Sequence, residues 1–392
     1  MKALSTLCLI LLFTQAFAQP FERYKPLLDT LFPSTELGYS RSLSITVPLE
    51  YQQNLEASFP LILIFDKQNT RSHTHILRTI DYLTANEQMP SAVILSVGSE
   101  VEKRYGETQL SISEPSAFGE KNERFIFNEL IPFARKHYKA SNFSMLIGHS
   151  RYGFFTTYLF ARNPQQCNAV IALSPFFQQV QMNLADSLVK TSSQSTITSP
   201  RYYRFAVGND YPDQFQLFEQ KLGENSGKQS GSFHLKGRIF PEADHNAVPG
   251  IAIAPALYEI FEDWSGAQRK YMLSKSKTNL ALDTLQKSIN NAYGSAIPPA
   301  LGVLNGKGWE AYNNEKYQEA IEAWEALIRY YPNMSEAWLY IAGAQKNLGI
   351  PFQISLKRFY AEIPQSLFYT ATEKDELIEE AREWERSLEK KQ

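Results

Sequence analysis

Continuous runs of branched apolar residues constrain the fold of this chain more than any other feature of its sequence. Such runs occur at residues 60–66, 91–98, 143–148 and 167–175. Strands that are buried on both faces, as in a parallel sheet, have this composition. Further strands are predicted at 42–48, 202–208 and 233–240, and helices between them at 72–87, 121–138 and 151–162. The alternation predicts an α/β domain with a largely parallel sheet.

The N-terminus has the pattern of an export signal. Lys2 is followed by an apolar stretch at 3–13 and by Ala16-Phe17-Ala18, a small-x-small cleavage motif. We therefore expect a signal peptide over 1–18, and an exported mature chain that is periplasmic or secreted. The apolar stretch is too short for a membrane span, and no other run is long enough.

Composition excludes some partners. The 392 residues carry a net charge of −2, so nothing favours binding to nucleic acid or to an anionic membrane. Cys8 lies in the predicted signal, which leaves Cys167 alone in the mature chain. A lone cysteine in an apolar segment is expected to be a buried small hydrophobic residue. No metal or cofactor is expected.

The character of the sequence changes near Trp264. We expect the α/β domain to occupy 19–264, a polar linker 265–300, and a small all-α region 301–392. A 34-residue unit numbered from Leu301 has Gly308, Ala320, Trp324 and Pro332 at positions 8, 20, 24 and 32. This pattern resembles the tetratricopeptide repeat, in which small residues let paired helices approach.

The repeat is incomplete. A second unit from Ser335 places Trp338 and Ala342 at matching positions but then decays, with Ile354 where Ala is expected. About three repeats are usually needed to bury their own faces. We therefore expect this region to pack on the α/β domain, on a second copy of the chain or on a protein partner, with internal packing favoured.

The segment FSMLIGHSRYGFF (143–155) combines a strand, a corner at Ser150 and a helix. A serine at such a corner is exposed at the carboxyl end of the sheet, where it can act as a nucleophile. Gly148 is the small residue that the corner needs two places before the serine. Tyr152 occupies the place two after it, where a small residue is also expected, and Gly153 follows one place late.

A serine nucleophile needs a base and an acid, which in hydrolases follow it in the order acid, then histidine. His245 lies in a loop between a strand and a helix, whereas His234 lies within a strand. Asp210 directly follows the strand 202–208 and is the expected acid. Asp213, near the start of the next helix, is the alternative, and its plain structural role would be a helix cap.

The remaining site residues are predicted from position. The backbone N–H of Arg151 is expected to be one oxyanion donor, and that of Lys67 or a neighbour the second. The side chain of Arg151 either reaches a substrate or faces solvent. His149 is expected to point away from the nucleophile and to have a supporting role at most.

Four separated segments resemble the esterase D / enterochelin esterase-like family of α/β hydrolases. They are 60–66, 104–111, 129–177 and 240–261, and the resemblance covers about 40–263. It implies an α/β-hydrolase fold and hydrolysis of a carboxyl ester through an acyl-enzyme, with His245 as base, no metal, and Arg104 and Tyr152 on the substrate side. The family usually has Gly at the position of Tyr152.

Two functions are open at this stage. One is an exported serine esterase acting on a siderophore ester, an acylated sugar or another small ester. The other is a non-catalytic binding or scaffold protein on a hydrolase fold, which Tyr152 favours and the retained order of Ser150, Asp210 and His245 opposes.

Overall fold

An eight-stranded sheet is the largest in the computed structural model, which describes residues 21–114, 116–194, 196–225, 227 and 230–389. Its strands lie in the order β1-β2-β4-β3-β5-β6-β9-β10. They are β1 (Tyr24–Pro33), β2 (Ser40–Pro48), β3 (Phe59–Phe65), β4 (Val93–Val97), β5 (Ala140–His149), β6 (Ala169–Leu173), β9 (Arg201–Val207) and β10 (Phe233–Ile239). β1 and β2 are antiparallel to their neighbours, and every other pairing is parallel. The predicted largely parallel sheet is confirmed.

Helices cover both faces of the sheet. One face carries α1 (Thr70–Ala85), α8 (Val248–Ile260), α9 (Glu262–Leu273) and α10 (Thr278–Tyr293). The other carries α3 (Gly119–Arg124), a π-helical turn (Phe125–Leu130), α4 (Ile131–His137), α5 (Arg151–Arg162), α6 (Leu184–Ser192) and α7 (Pro212–Glu224). In β3, Ile62 packs on the first face and Leu63 on the second, because successive side chains of a strand alternate. Burial on both faces explains the unbroken apolar runs.

Strand β1 was not expected from the sequence. It contains Pro26 and Pro33, and proline within a run argues against a strand. β1 is an edge strand, and its register with β2 shifts between Pro26 and Leu28. An edge with an irregularity tolerates a residue that cannot donate a backbone hydrogen bond.

The segment 176–200 has a polar, irregular sequence, which is compatible with a lid over the site or with a surface excursion. It contains a short hairpin, β7 (Gln178–Gln179) with β8 (Met182–Asn183), followed by α6. Asn183 caps α6 by accepting hydrogen bonds from the backbone N–H groups of Ala185 and Asp186. The hairpin borders the candidate site described below.

The predicted linker at 265–300 is wrong. Most of this segment lies in α9 and α10, and Tyr271, Leu285, Ile289 and Tyr293 are buried in the same apolar cluster as the sheet. The polar residues that suggested a linker occupy the exposed sides of these helices. The chain therefore continues from the α/β region into the helical region without a flexible break.

The C-terminal region is helical, as predicted. It consists of α11 (Leu301–Asn313), α12 (Tyr317–Tyr330), α13 (Glu336–Asn347), α14 (Gln353–Glu362) and α15 (Ala371–Glu389). Apolar residues of α11, α12 and α13 join the cluster that covers one face of the sheet, and those of α14 and α15 form a separate cluster. Asn54 Nδ2 donates to the carbonyl of Tyr330 at 2.9 Å, and Gly302 N–H donates to the carboxylate of Glu87. The region thus packs internally, and its identity as a tetratricopeptide-type repeat stays a prediction.

None of the helices in the described part of the chain is long and apolar enough to cross a membrane. The predicted signal peptide at 1–18 lies outside the described residues.

Candidate active site

Ser150 occupies a strained corner between β5 and α5. Its backbone has φ 59° and ψ −118°, which is rare for a residue with a side chain. The Ser150 N–H donates to the carbonyl of Leu173, at the end of the neighbouring strand, at 2.8 Å. Such strain persists only where the surroundings impose it, and it is the geometry that exposes a nucleophile at a strand-to-helix turn.

The corner requires glycine two residues earlier. A Cβ on Gly148 would lie 2.2 Å from the carbonyl oxygen of Tyr152. Because both atoms belong to the turn itself, no side-chain movement could relieve that clash. Gly148 therefore meets the requirement inferred from the sequence.

Asp210 and His245 are brought together at the same edge of the sheet. His245 Nδ1 lies 2.6 Å from Asp210 Oδ2, and the other carboxylate oxygen accepts the N–H of Gly208 at 2.8 Å. Burial raises the pKa of Asp210, but the hydrogen bonds from His245 and Gly208 outweigh it and hold the pKa below its ordinary value. Asp213 lies in the first turn of α7, and the structure pairs His245 with Asp210.

Gly208 lets the loop that carries Asp210 approach the loop that carries His245. A Cβ on Gly208 would lie 2.1 Å from the carbonyl oxygen of Ala243, and Asn209 N–H donates to that same carbonyl at 2.8 Å. Asp244 accepts the N–H groups of Asn246 and Ala247, which closes the turn around His245. The two loops are thus joined through backbone contacts.

We expect Gly208→Ala to separate these loops. The clash with a backbone oxygen should lower the free energy of unfolding by ~1–3 kcal/mol, and the displaced pair should cost roughly tenfold or more in the kcat of the reaction proposed below. Gly223→Ala is the matched control, because nothing lies within 4 Å of a Cβ at that helical position. Equal kcat in the two variants would contradict this role, and denaturant unfolding with steady-state kinetics measures both effects.

His149 contacts the base loop, although it was expected to point away. Its Nε2 lies 2.9 Å from the backbone oxygen of His245, and the two imidazole rings are 4.7 Å apart at their centroids. Burial lowers the pKa of His149, which favours its neutral form. Tyr211 meets the ring of His245 edge-on from another side, at 5.7 Å. His149 and Tyr211 therefore limit the movement of His245.

Tyr152 is fully buried below the corner. Its ring stacks on Phe65 at 4.7 Å between centroids. Its hydroxyl donates to Glu107 Oε2 at 2.9 Å and accepts from Arg41 Nη2 at 3.1 Å. Ser99 Oγ lies 3.0 Å from the same hydroxyl. Tyr152 thus fills a buried position among these partners, and its place on the substrate side stays a prediction.

Arg41 and Glu107 were not recognised from the sequence. They form a buried ion pair at 3.2 Å, and Arg41 Nε also donates to the carbonyl of Gly98. The sequence indicates only weakly that these two residues belong to the site. Arg41 immediately precedes a predicted strand, and Glu107 lies in a polar stretch. Only the fold brings residues so distant in sequence to the hydroxyl of Tyr152.

The predicted oxyanion donors differ in availability. Arg151 is the first residue of α5, so its N–H has no acceptor within the helix. The N–H of Lys67 donates to the carbonyl of Val97 at 3.2 Å, which makes the residue-specific prediction of Lys67 wrong. The Lys67 ammonium contacts Asp29 and Ser44.

Arg104, which the resemblance placed on the substrate side, lies in α2 (Val101–Thr108). Its guanidinium binds both carboxylate oxygens of Asp66, at 2.8 and 2.6 Å. Asp66 follows β3 and has φ 63°. Arg104 therefore orients the turn after β3, next to the expected oxyanion loop.

A cavity of about 320 Å³ opens beside this turn. Its lining residues come from β1, β2 and the segments that follow β3 and β4, and Ser150 and His245 are not among them. Within the described residues, no group of three or more His, Cys, Asp or Glu side chains could hold a metal ion.

Comparison with known proteins shows what this chain is similar to. The Esterase family model matches residues 34–221, which include Ser150 and the proposed acid. The match covers just under half of the chain and is a similarity to that family. A search of curated protein sequences gave no match.

Solved structures share the fold at low identity. An IroE-like serine hydrolase from Shewanella oneidensis is 16% identical, with a TM-score of 0.60, over 78% of this chain and 100% of its own. An uncharacterised protein from Capnocytophaga ochracea is 14% identical, with a TM-score of 0.59, over 91% of this chain and 99% of its own. The BES protein from Bacillus cereus is 16% identical, with a TM-score of 0.50, over 60% and 95%. The predicted α/β-hydrolase fold with a helical C-terminal region is confirmed.

Proposed function

We propose that this protein is an exported serine esterase that hydrolyses a small carboxyl ester through Ser150, His245 and Asp210. One observation carries the proposal. A serine held at positive φ on a strand-to-helix corner shares the carboxyl edge of the sheet with a hydrogen-bonded aspartate–histidine pair. The Esterase family match over residues 34–221 supports the reaction class.

The proposed reaction has two halves. His245 takes the proton of Ser150 as its oxygen attacks the ester carbonyl, and the protonated imidazole then gives that proton to the departing alcohol. Asp210 accepts a hydrogen bond from His245 Nδ1, which keeps Nε2 free to act as base and stabilises the imidazolium. Water then attacks the acyl-enzyme by the same proton path, releasing the acid and restoring Ser150.

Negative charge develops on the carbonyl oxygen of the substrate ester, and backbone N–H donors are needed to stabilise it. We propose the N–H of Arg151 as the first, since it opens α5 directly after the nucleophile. For the second we propose the N–H of Gln68, the neighbour of Lys67, which has no backbone acceptor among the described residues. Each such donor contributes roughly 3 kcal/mol to transition-state stabilisation in measured cases.

Export remains part of the proposal through the predicted signal at 1–18. The C-terminal helices are proposed to include a tetratricopeptide-type pair that stabilises the α/β region, because apolar residues of α11, α12 and α13 lie in the same cluster as one face of the sheet. A protein partner for this region, or self-association through it, stays a prediction. The non-catalytic alternative was favoured by Tyr152. The buried contacts of its side chain account for a tyrosine at this position.

Fluorophosphonate labelling tests the proposed nucleophile directly. We expect one modified peptide, containing Ser150, when the mature protein reacts with the probe and is analysed by mass spectrometry. Labelling should be lost in Ser150→Ala and strongly slowed in His245→Ala, because a serine hydroxyl without its base is a weak nucleophile. A folded protein that stays unlabelled, or is labelled equally without His245, would sink the proposal.

A further inference from the structure

The side chain of Arg151, adjacent to the proposed nucleophile, is held by neutral groups. Its Nε donates to Thr108 Oγ1 at 3.1 Å and its Nη2 to Gln109 Oε1 at 2.8 Å. The guanidinium carbon lies 4.0 Å from the centroid of the Tyr105 ring, a cation–π distance. The side chain is thus held in place with its positive charge unmatched by these partners.

No carboxylate of the described residues lies within 4.0 Å of this guanidinium, and Glu114 acts on it only as a more distant charge. The ion pairs within 4.0 Å in the described part of the chain do not include Arg151, although they pair nearby Arg104 with Asp66. Arg104 itself adds positive potential at Arg151. A half-buried cation without a directly paired carboxylate is unfavourable, and a bound anion would relieve that cost.

The guanidinium of Arg151 has N–H donors that the contacts with Thr108 and Gln109 do not use. Of its five N–H groups, the contacts with Thr108 and Gln109 account for two. A planar fork of this kind matches a carboxylate in a two-bond arrangement. Gln109 Oε1 also accepts from Gln179 Nε2 at 3.2 Å, so the β7–β8 hairpin is tied to the same group.

Apolar side chains lie around this cation. Tyr105, Ile112 and Val180 are between 50 and 65% exposed, and Ser113 Oγ joins the segment of Ile112 to the carbonyl of Val180 at 3.1 Å. Gln179 Oε1 is buried and has no hydrogen-bond partner among the described residues. Apolar surface beside a cation that lacks a directly paired carboxylate would suit a substrate with a hydrocarbon body and an acidic group.

We propose that Arg151 binds a carboxylate of the substrate, so that the enzyme prefers carboxylate-bearing esters over neutral esters of the same size. This inference rests on the proposed esterase function and names the substrate class of that same site. The carboxylate would lie close to the scissile ester, because Arg151 directly follows Ser150 in the chain.

The test compares two esters with one leaving group, para-nitrophenyl butyrate and mono-para-nitrophenyl succinate. We expect wild-type kcat/KM to be higher for the succinate ester, and the ratio between the esters to fall roughly 10- to 100-fold in Arg151→Gln, as loss of a charge-assisted hydrogen bond implies. Arg151→Lys should keep part of the preference, since it keeps the charge and loses the fork. Added salt should reduce the preference.

Arg162→Gln is the matched control, because Arg162 ends the same helix and pairs with Glu123 on the surface. Its ratio should equal that of the wild type, and an unchanged ratio in Arg151→Gln would overturn the inference. A binding arm separates this outcome from failure of the esterase proposal. Titration of succinate into Ser150→Ala should give binding that Ser150→Ala/Arg151→Gln loses, and equal binding by both would overturn the inference even if neither ester is hydrolysed.

Discussion

Replacement of Ser150 by alanine should lower the kcat for ester hydrolysis by roughly 10⁴-fold or more, because no other group could form the acyl-enzyme. The fold should survive, since the Ser150 side chain makes no capping hydrogen bond to α5. The positive φ of 59° is equally unfavourable for serine and for alanine. His245→Ala should lose activity to a similar degree, because the residues of such a unit act together. Steady-state kinetics on an activated ester, with circular dichroism as a check on folding, measures both.

The acid offers an internal control. Asp210→Asn should reduce kcat strongly, because an amide that can donate to the imidazole favours the wrong tautomer. Asp213→Asn changes the same charge three residues later, on a side chain in the first turn of α7, and should leave kcat within a few-fold of the wild type. A larger loss in Asp213→Asn than in Asp210→Asn would contradict the assignment of the acid, and full activity in Ser150→Ala would contradict the mechanism.

Tyr152→Gly should destabilise the protein by about 5 kcal/mol or more and should not raise activity. Loss of a fully buried aromatic side chain costs about 3–5 kcal/mol, and glycine in a helix adds about 1 kcal/mol. The substitution also leaves Arg41 and Glu107 without the hydroxyl that joins them. Denaturant unfolding, with kcat/KM measured at a temperature where the variant is folded, tests the prediction.

Tyr152→Phe separates the hydroxyl from the ring. It keeps the stacking on Phe65 and should cost ~1–3 kcal/mol, because the lost partners are charged. Tyr203→Phe is the control, since that buried hydroxyl meets only the neutral Thr157, at 2.8 Å, and its loss should cost ~1 kcal/mol. A folded Tyr152→Gly protein with greatly increased kcat/KM would mean that Tyr152 impairs a site adapted to glycine.

The contacts of Tyr152 explain how this chain accommodates tyrosine where the resembling family usually has glycine. The side chain is fully buried, and its hydroxyl contacts Arg41, Ser99 and Glu107. The close approach within the turn is at Gly148, where a Cβ would lie 2.2 Å from the carbonyl oxygen of Tyr152. From the sequence, a bulky residue at this place suggested a remnant, because only the fold reveals which side of the turn receives it.

The misplaced linker and the missed strand have a related cause. α9 and α10 combine polar outer faces with a few buried residues such as Tyr271 and Leu285, and that pattern is weak in a single sequence. β1 carries prolines that an edge position tolerates. In both segments, packing against neighbours overrode the local signal.

The sequence by itself determined the parallel part of the sheet, the order of Ser150, Asp210 and His245 along the chain, and the corner at Gly148. These features depend on hydrophobic period and on chain order at the ends of parallel strands, which are local properties. Tertiary structure alone decided that Lys67 N–H is occupied by Val97, that Gly208 joins the acid and base loops, and that Arg151 stands among neutral partners. Each of these depends on atoms from segments far apart in the chain, and no local pattern encodes which of them meet.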